Sequence, residues 1–394
     1  MSESHWLLDP TIAFLNHGSF GACPRVVLEY QRALQTRLEE QPMTFFTKDL
    51  EDLMDEAREK LAKFVDCRSA NLAFVPNATS GVNSVLRSFP FQPGDEILTT
   101  NLVYPACWMS MKWVARRYGL KTRQVEIPFP IEHPDQVTQV ILNAVGPHTR
   151  VALLDHIASS TGLVLPLEAL VPALEERGVA TLIDGAHAPG SIPLRIRELN
   201  PSYYTGNCHK WLFTPKGAAF LWAREDRQGD LVPLSVSYGL EGLRPGRSLF
   251  HDRFDWTGTC DPTPYLCIPK ALEFGAQLYP GGWGELERCN HRMAVRAGEQ
   301  LNAALKQSPL YPPSMTASMA TVRLPGKTEG PDPLLDYLLE HHHIQAKTSP
   351  EPFRSLRISC QAYNRPEEYE KLAQVLKDLK GEFPLELGKG LAPC

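Results

Sequence analysis

Lys210 and Asp184 are the two residues whose types and spacing define the chemistry open to this chain. Lys210 sits in the run Gly206-Asn207-Cys208-His209-Lys210-Trp211, and Asp184 closes the apolar run Leu182-Ile183-Asp184 ahead of Gly185-Ala186-His187. An amine nucleophile placed 210 − 184 = 26 residues after an aspartate at the end of a predicted strand suggests pyridoxal phosphate chemistry. The lysine would hold the cofactor's aldehyde as a Schiff base. The carboxylate would keep the pyridine nitrogen protonated, which makes the ring an electron sink. A lysine with this task must be locally uncharged, and the apolar neighbours Trp211, Leu212 and Phe213 favour that by desolvation. The plain structural alternatives are a surface lysine beside a core tryptophan and a turn aspartate before Gly185.

These residues need a frame that brings strand ends together. From about residue 50 to 260, helical and strand patterns alternate, the signature of an α/β domain. Strands are predicted at 71–75, 96–100, 122–127, 151–155, 180–184, 203–206 and 218–222, with helices at 79–88, 105–118, 134–145 and 167–177. Seven such strands, mostly joined by helices, imply a mainly parallel sheet covered on both faces, with ligands bound beyond the carboxyl ends of its strands. Asp155 and Asp184 both fall at such ends. Asn77-Ala78-Thr79-Ser80-Gly81 joins a strand to a helix, and amide groups at a helix start form a ready phosphate site. Residues 226–264, rich in proline and glycine and carrying Arg244, Arg247 and Arg253, read as a long functional loop. Beyond it, strands near 320–324 and 355–359 alternate with helices at 333–343 and 365–380, the last opening with Asn364 and Glu367 as a capping pair.

The order of these motifs, from Leu15-Asn16-His17-Gly18-Ser19-Phe20-Gly21 to Arg357-Ile358-Ser359, resembles the class V aminotransferase family of fold type I pyridoxal phosphate enzymes. The branch containing isopenicillin N epimerase and related carbon–sulfur lyases fits best. The resemblance implies a large α/β domain with a mainly parallel seven-stranded sheet and a smaller C-terminal α+β domain. The expected divisions are an N-terminal arm at 1–15, the large domain at 16–264 and the small domain at 265–394.

Residue roles follow from the same resemblance. The 77–81 run would be the phosphate cup, with the Ala78 and Thr79 backbones, the Thr79 side chain and the Ser80 hydroxyl as donors. Tyr104 would stack on the cofactor ring, with Trp108 one helical turn on lining the pocket. His187 would lie near the phenolic oxygen or the Schiff base. Ser159 stands where the family often has an asparagine contacting that oxygen, and Asp155 and His156 beside it could be structural. His209 precedes the lysine and could simply fix the turn. Thr259, in Thr257-Gly258-Thr259-Cys260-Asp261, resembles the motif that reaches the phosphate from a neighbouring subunit, so a homodimer with a shared active site is expected. Arg357 would bind the substrate's α-carboxylate, since its planar fork meets a carboxylate in two parallel hydrogen bonds. Asn16 and His17 would close the substrate pocket.

Composition narrows the partners. The chain has 394 residues, 43% hydrophobic and 22% charged, with a net charge of −5, so it offers no basic footprint for nucleic acid. No stretch is apolar enough for a bilayer span, and Met1 to Trp6 lacks the basic-then-apolar pattern of a signal peptide, which makes the cytoplasm the default. Nine scattered cysteines read as reduced thiols, and the adjacent His341, His342 and His343 point in different directions on a helix, so no metal is expected. The resemblance implies an amino acid as the small-molecule partner.

The reaction is less determined. Cysteine desulfurases need a mobile cysteine on a loop before the carboxylate-binding arginine. Positions 320–356 hold none, and Cys360 falls in the strand just after Arg357. Epimerisation needs a second acid opposite Lys210, for which Tyr104 and His17 are the candidates. A β-eliminating lyase needs only Lys210 and a good leaving group. The resemblance favours an epimerase-like enzyme, with the carbon–sulfur lyase as alternative, a transaminase further off, and a sensor or scaffold as the non-enzymatic reading.

Overall fold

The protein is described by a computed structural model covering residues 5–242, 244, 246–328 and 330–379. Met1–Ser4 and residues 380–394, which belong to the first and last expected divisions, lie outside the described residues, as does the final position of the helix expected at 365–380.

The strands in chain order are β1 (Ala13–Phe14), β2 (Leu72–Val75), β3 (Glu96–Thr100), β4 (Lys121–Val125), β5 (Thr149–Asp155), β6 (Ala180–Asp184), β7 (Tyr203–Asn207), β8 (Ala219–Ala223), β9 (Met319–Arg323), β10 (Ile344–Gln345), β11 (Lys347–Ser349) and β12 (Ser355–Ser359). Strands β2 to β8 form one seven-stranded sheet in the order β2-β8-β7-β6-β5-β3-β4. All seven expected strands are there, with ends shifted by one or two residues at most. β3 to β7 run parallel, and β8 is antiparallel to both of its neighbours, β2 and β7.

The inner strands are continuously apolar because both faces are covered. Leu72, Phe74 and Ile183 face one core with the helices Leu50–Phe64, Leu167–Glu175 and Ile268–Leu278, whereas Ala73, Val75 and Leu182 face another with Ala78–Ser88 and Pro105–Tyr118. Edge strand β4, Lys-Thr-Arg-Gln-Val, is polar and largely exposed, as an edge must be to resist pairing with other chains. The parallel strands deliver their carboxyl ends, and with them Val75, Thr100, Asp155, Asp184 and Asn207, to one rim of the sheet.

A third core lies under the antiparallel sheet β11-β12-β9, packed against the helices Gly282–Ala304 and Pro366–Asp378. β1 pairs in parallel with β10, so the segment leading into Asn16 and His17 is anchored to this C-terminal part, and Leu15 is buried in its core.

Two expectations change. The 226–264 stretch is not all loop: Leu249–Asp255 is a helix capped by Ser248. Its charges serve structure, for Arg247 pairs with Glu51, Asp55 and Asp255, Arg244 with Glu51 and Asp252, and Arg253 with the Gly229 and Leu231 carbonyls. The last helix is capped one residue later than expected, because Pro366 fixes its first turn. Glu368, not Glu367, accepts from the Arg365 N–H at 3.0 Å and the Asn364 amide at 3.1 Å. Among the described residues no helix is long and apolar enough to cross a membrane.

Candidate active site

Lys210 follows β7 in a turn that His209 pins by bonding its Nδ1 to the Ala218 carbonyl at 2.9 Å. The turn-fixing reading of His209 is the one the geometry shows, and burial holds its imidazole down at about 4. The Lys210 amine lies 3.1 Å from His187 Nε2. Burial first, and the positive Arg357 second, push this amine down to about 7, with Asp184 only partly opposing. His187 is driven well below its ordinary range by burial and by the charge on Lys210, so its neutral ring can accept from the ammonium or donate to the free amine.

Asp184 ends β6 beside Asp155 at the end of β5, in register. Burial raises both carboxyls, but their surroundings differ. Asp184 accepts from the Ala186 N–H at 3.0 Å and from the Cys107 thiol at 3.2 Å, whereas Asp155 Oδ2 is buried with no hydrogen bond among the described residues. Burial and the neighbouring Asp184 charge therefore raise Asp155 the further of the two, and the hydrogen bonds to Asp184 favour its charged form. Cys107 was not visible as a site residue in the sequence; its only signal is a position three after Tyr104, on the inner face of the helix Pro105–Tyr118.

The 77–81 run forms the start of the helix Ala78–Ser88. Asn77 caps it by accepting from the Ser80 N–H at 2.8 Å and the Ser80 hydroxyl at 3.1 Å. The Ala78 N–H is taken by Asn207 Oδ1 at 2.8 Å, which leaves the Thr79 amide and hydroxyl as donors without a hydrogen bond among the described residues. Asn207, at the end of β7, is a second residue that pattern reading passed over.

Arg357 on β12 is fully buried. It donates to the Ser159 carbonyl, and to Asn16 Oδ1 and Ser19 Oγ at 3.2 Å each, while its Nε has no partner. The expected Asn16, Ser159 and Arg357 thus meet, though Ser159 does so through its backbone. His17 bonds through Nε2 to the Lys210 carbonyl at 3.1 Å and through Nδ1 to the Tyr363 hydroxyl at 2.9 Å. Burial lowers it to about 3. Both nitrogens are committed and the ring stays neutral, so His17 braces the lysine backbone and cannot be the second acid. Gly21, at φ +71°, completes that brace: a Cβ there would lie 2.6 Å from the His209 carbonyl oxygen. Tyr104 caps the helix that carries Cys107 and is 42% exposed. Thr259 is exposed and makes no hydrogen bond to the Lys210 cluster among the described residues. His156 is a structural residue, bonded to the Tyr204 hydroxyl at 2.8 Å.

Pyridoxal phosphate fits this arrangement. A depressed amine, a buried carboxylate on the next strand, a capped helix start with unused donors, and the buried unpartnered His187 Nδ1, Ser160 Oγ and Arg357 Nε together supply what an aldehyde, a pyridine nitrogen, a phosphate and an amino-acid carboxylate require.

The fold is that of fold type I pyridoxal phosphate enzymes. The chain matches the cystine C–S lyase C-DES bound to its reaction product cysteine persulfide, with a TM-score of 0.78, 25% identity and coverage of 94% of this chain and 98% of that one. A C-DES mutant with glycine covalently linked to its PLP cofactor matches with a TM-score of 0.79 at 25% identity, over 94% of this chain and 97% of that one. The model of the class V aminotransferase family matches residues 14–241, and the chain belongs to that family. It is 36% identical to isopenicillin N epimerase of Amycolatopsis lactamdurans, over 94% of this chain and 96% of that protein. Against a probable chloroplastic L-cysteine desulfhydrase of Arabidopsis thaliana it is 30% identical, over 94% and 83%. The protein is a pyridoxal phosphate-dependent enzyme of this family.

Proposed function

We propose that the protein acts at the α-carbon of an amino acid, with Lys210 as the group that carries the cofactor and then moves the α-proton. The observation that carries this reading is the Lys210 amine, held at about 7 and 3.1 Å from a neutral His187. When bound, pyridoxal phosphate supplies an aldehyde for the substrate amine and a protonated ring that draws electrons from the α-carbon. Asp184 holds the charge that keeps that ring protonated, with Cys107 and Ala186 fixing its orientation. Thr79 holds the phosphate with its free amide and hydroxyl, at a helix start fixed by the Asn77–Ser80 cap, Tyr104 covers the ring, and Arg357 with Asn16 binds the α-carboxylate. Lys210, free of its ammonium proton near neutrality, takes the α-proton, and His187 keeps the amine directed.

The outcome we favour is epimerisation, with Tyr104 returning a proton from the opposite side. The support is the 36% identity to isopenicillin N epimerase and the exposure of Tyr104 at the start of its helix. A second reading, β-elimination from a sulfur-bearing amino acid, has its own support: His17 is locked by Lys210 and Tyr363, which leaves Tyr104 as the sole candidate for a second acid, and elimination needs only Lys210. Persulfide chemistry is disfavoured, since Cys360 is fully buried and burial pushes its thiol up to about 12.

Proton NMR of the cofactor-loaded protein with amino acids and cysteine S-conjugates in deuterated water separates these. Loss of the α-proton signal with the opposite enantiomer accumulating supports the epimerase. Pyruvate with a released sulfur species replaces it by the lyase, and no exchange at all overturns both. We also infer a homodimer, supported by the exposed Leu234, Val236 and Tyr238 ahead of the Thr259 turn; sedimentation as a monomer would contradict it.

A further inference from the structure

Arg357 does not stand alone on its face of the small sheet. Lys347 on β11 lies directly opposite Arg357 in the antiparallel ladder, so the two side chains project from the same face. Directly opposed like charges destabilise a sheet unless something compensates them. Among the described residues no carboxylate pairs with either. The partners of Arg357 are the neutral Ser159 carbonyl, Asn16 and Ser19. Lys347 is half-buried and has no hydrogen bond or ion pair among the described residues. Burial, and the like charge of Arg357 after it, hold its amine below the ordinary lysine range. The Lys347 charge is also felt at His187 and Lys210, which sets it within electrostatic range of the reacting groups.

We propose that Lys347 reads a second negative charge on the substrate, so that the site takes amino acids whose side chain carries a carboxylate. The proposal rests on the assignment of the α-carboxylate to Arg357. With that group spoken for, Lys347 is a cation left over. β11 is the edge strand of its sheet, so Lys347 lies on the outer side of Arg357, where a side chain extending away from the α-carbon can reach. A substrate with one carboxylate leaves the pair half compensated; one with two neutralises both. This makes Lys347 a specificity residue, and it reduces the two readings above to those members of either class that handle dianionic amino acids.

The test uses the cofactor-loaded protein and two ligands of nearly equal shape, S-carboxymethylcysteine and S-carbamoylmethylcysteine, which differ in side-chain charge. Affinity is read from the change in cofactor absorbance, and kcat/KM is measured for whichever ligand turns over. The wild type is expected to bind the carboxymethyl compound about tenfold more tightly. Lys347→Gln should bring the ratio close to one, Lys347→Arg should keep it, and Lys347→Glu should invert it. Arg357→Lys should weaken both ligands and leave the ratio in place. A wild-type ratio of one, or a preference that survives Lys347→Gln, overturns the proposal. So does a Lys347→Gln protein in which only the pH of Lys210 titration moves. Absence of any absorbance response to either ligand or to alanine overturns the α-carbon reading, and this proposal with it.

Discussion

At the scale of single residues the central feature is an amine made reactive by its surroundings. An ordinary lysine is almost wholly protonated at neutrality, while Lys210 at about 7 is half free. Cofactor capture by the apoprotein needs the free amine, so its rate should climb about tenfold per pH unit below that value and level off above it. Stopped-flow absorbance across pH checks this; a rate that keeps climbing towards pH 10 would mean an unperturbed lysine. Lys210, Asp184 and Arg357 were legible in the sequence because each is the polar exception at the end or within an apolar run. Cys107, Asn207 and Tyr363 were not, since each acts only by touching a residue far away in the chain: Cys107 on Asp184, Asn207 on Ala78, Tyr363 on His17. His17 was legible as a site residue but its task was not, because only the fold shows that both nitrogens are occupied.

At the scale of elements, the site depends on how closely the helix Ala78–Ser88 lies against β7. Gly81 permits that approach, since a Cβ there would fall 2.3 Å from Thr205 Oγ1 and 2.9 Å from Thr205 Cβ. Gly81→Ala should therefore shift the helix start, lower stability by about 1–3 kcal/mol and weaken cofactor binding. Chemical denaturation and a cofactor titration check this, and unchanged affinity would show that the helix start does not hold the phosphate. The strands of the large sheet were readable from sequence because burial on both faces makes them short apolar runs ending at proline, glycine or a polar residue. The reversal of β8 was not readable, as strand direction leaves no periodic mark. Nor was the two-residue β1–β10 pairing, whose partners lie more than 300 residues apart. The helix Leu249–Asp255 was hidden by the surrounding prolines and glycines; Phe250 and Phe254 seat it in the core beside β2, and Asp255 pairs with Arg58 of the helix Leu50–Phe64.

At the scale of the whole molecule, the N-terminal segment ties the small C-terminal sheet to the large one through the site. β1 joins the C-terminal part, Asn16 meets Arg357, and His17 meets the Lys210 backbone. This tie has a pH signature. His17 is lowered to about 3 by burial, so the unfolded chain takes up a proton below its ordinary value of 6.5 while the folded one does not. Stability carried by the neutral ring is present above 6.5 and lost as pH falls towards 3. His156 and His209, each lowered to about 4, act in the same sense, and the raised Asp155 and Asp184 oppose it. His17→Gln should flatten the dependence of unfolding free energy on pH below 6.5 by roughly one proton, about 1.4 kcal/mol per pH unit. Urea denaturation at several pH values measures this, and an unchanged slope would place the acid sensitivity elsewhere. The chemistry assigned to the site requires the cofactor to be joined to one particular amine. Reduction of the loaded protein with borohydride, followed by mass mapping of its peptides, tests that most directly. A pyridoxyl group fixed on Lys210 is expected; a label on Lys216 or Lys347 instead, or on no lysine, would contradict the assignment of Lys210.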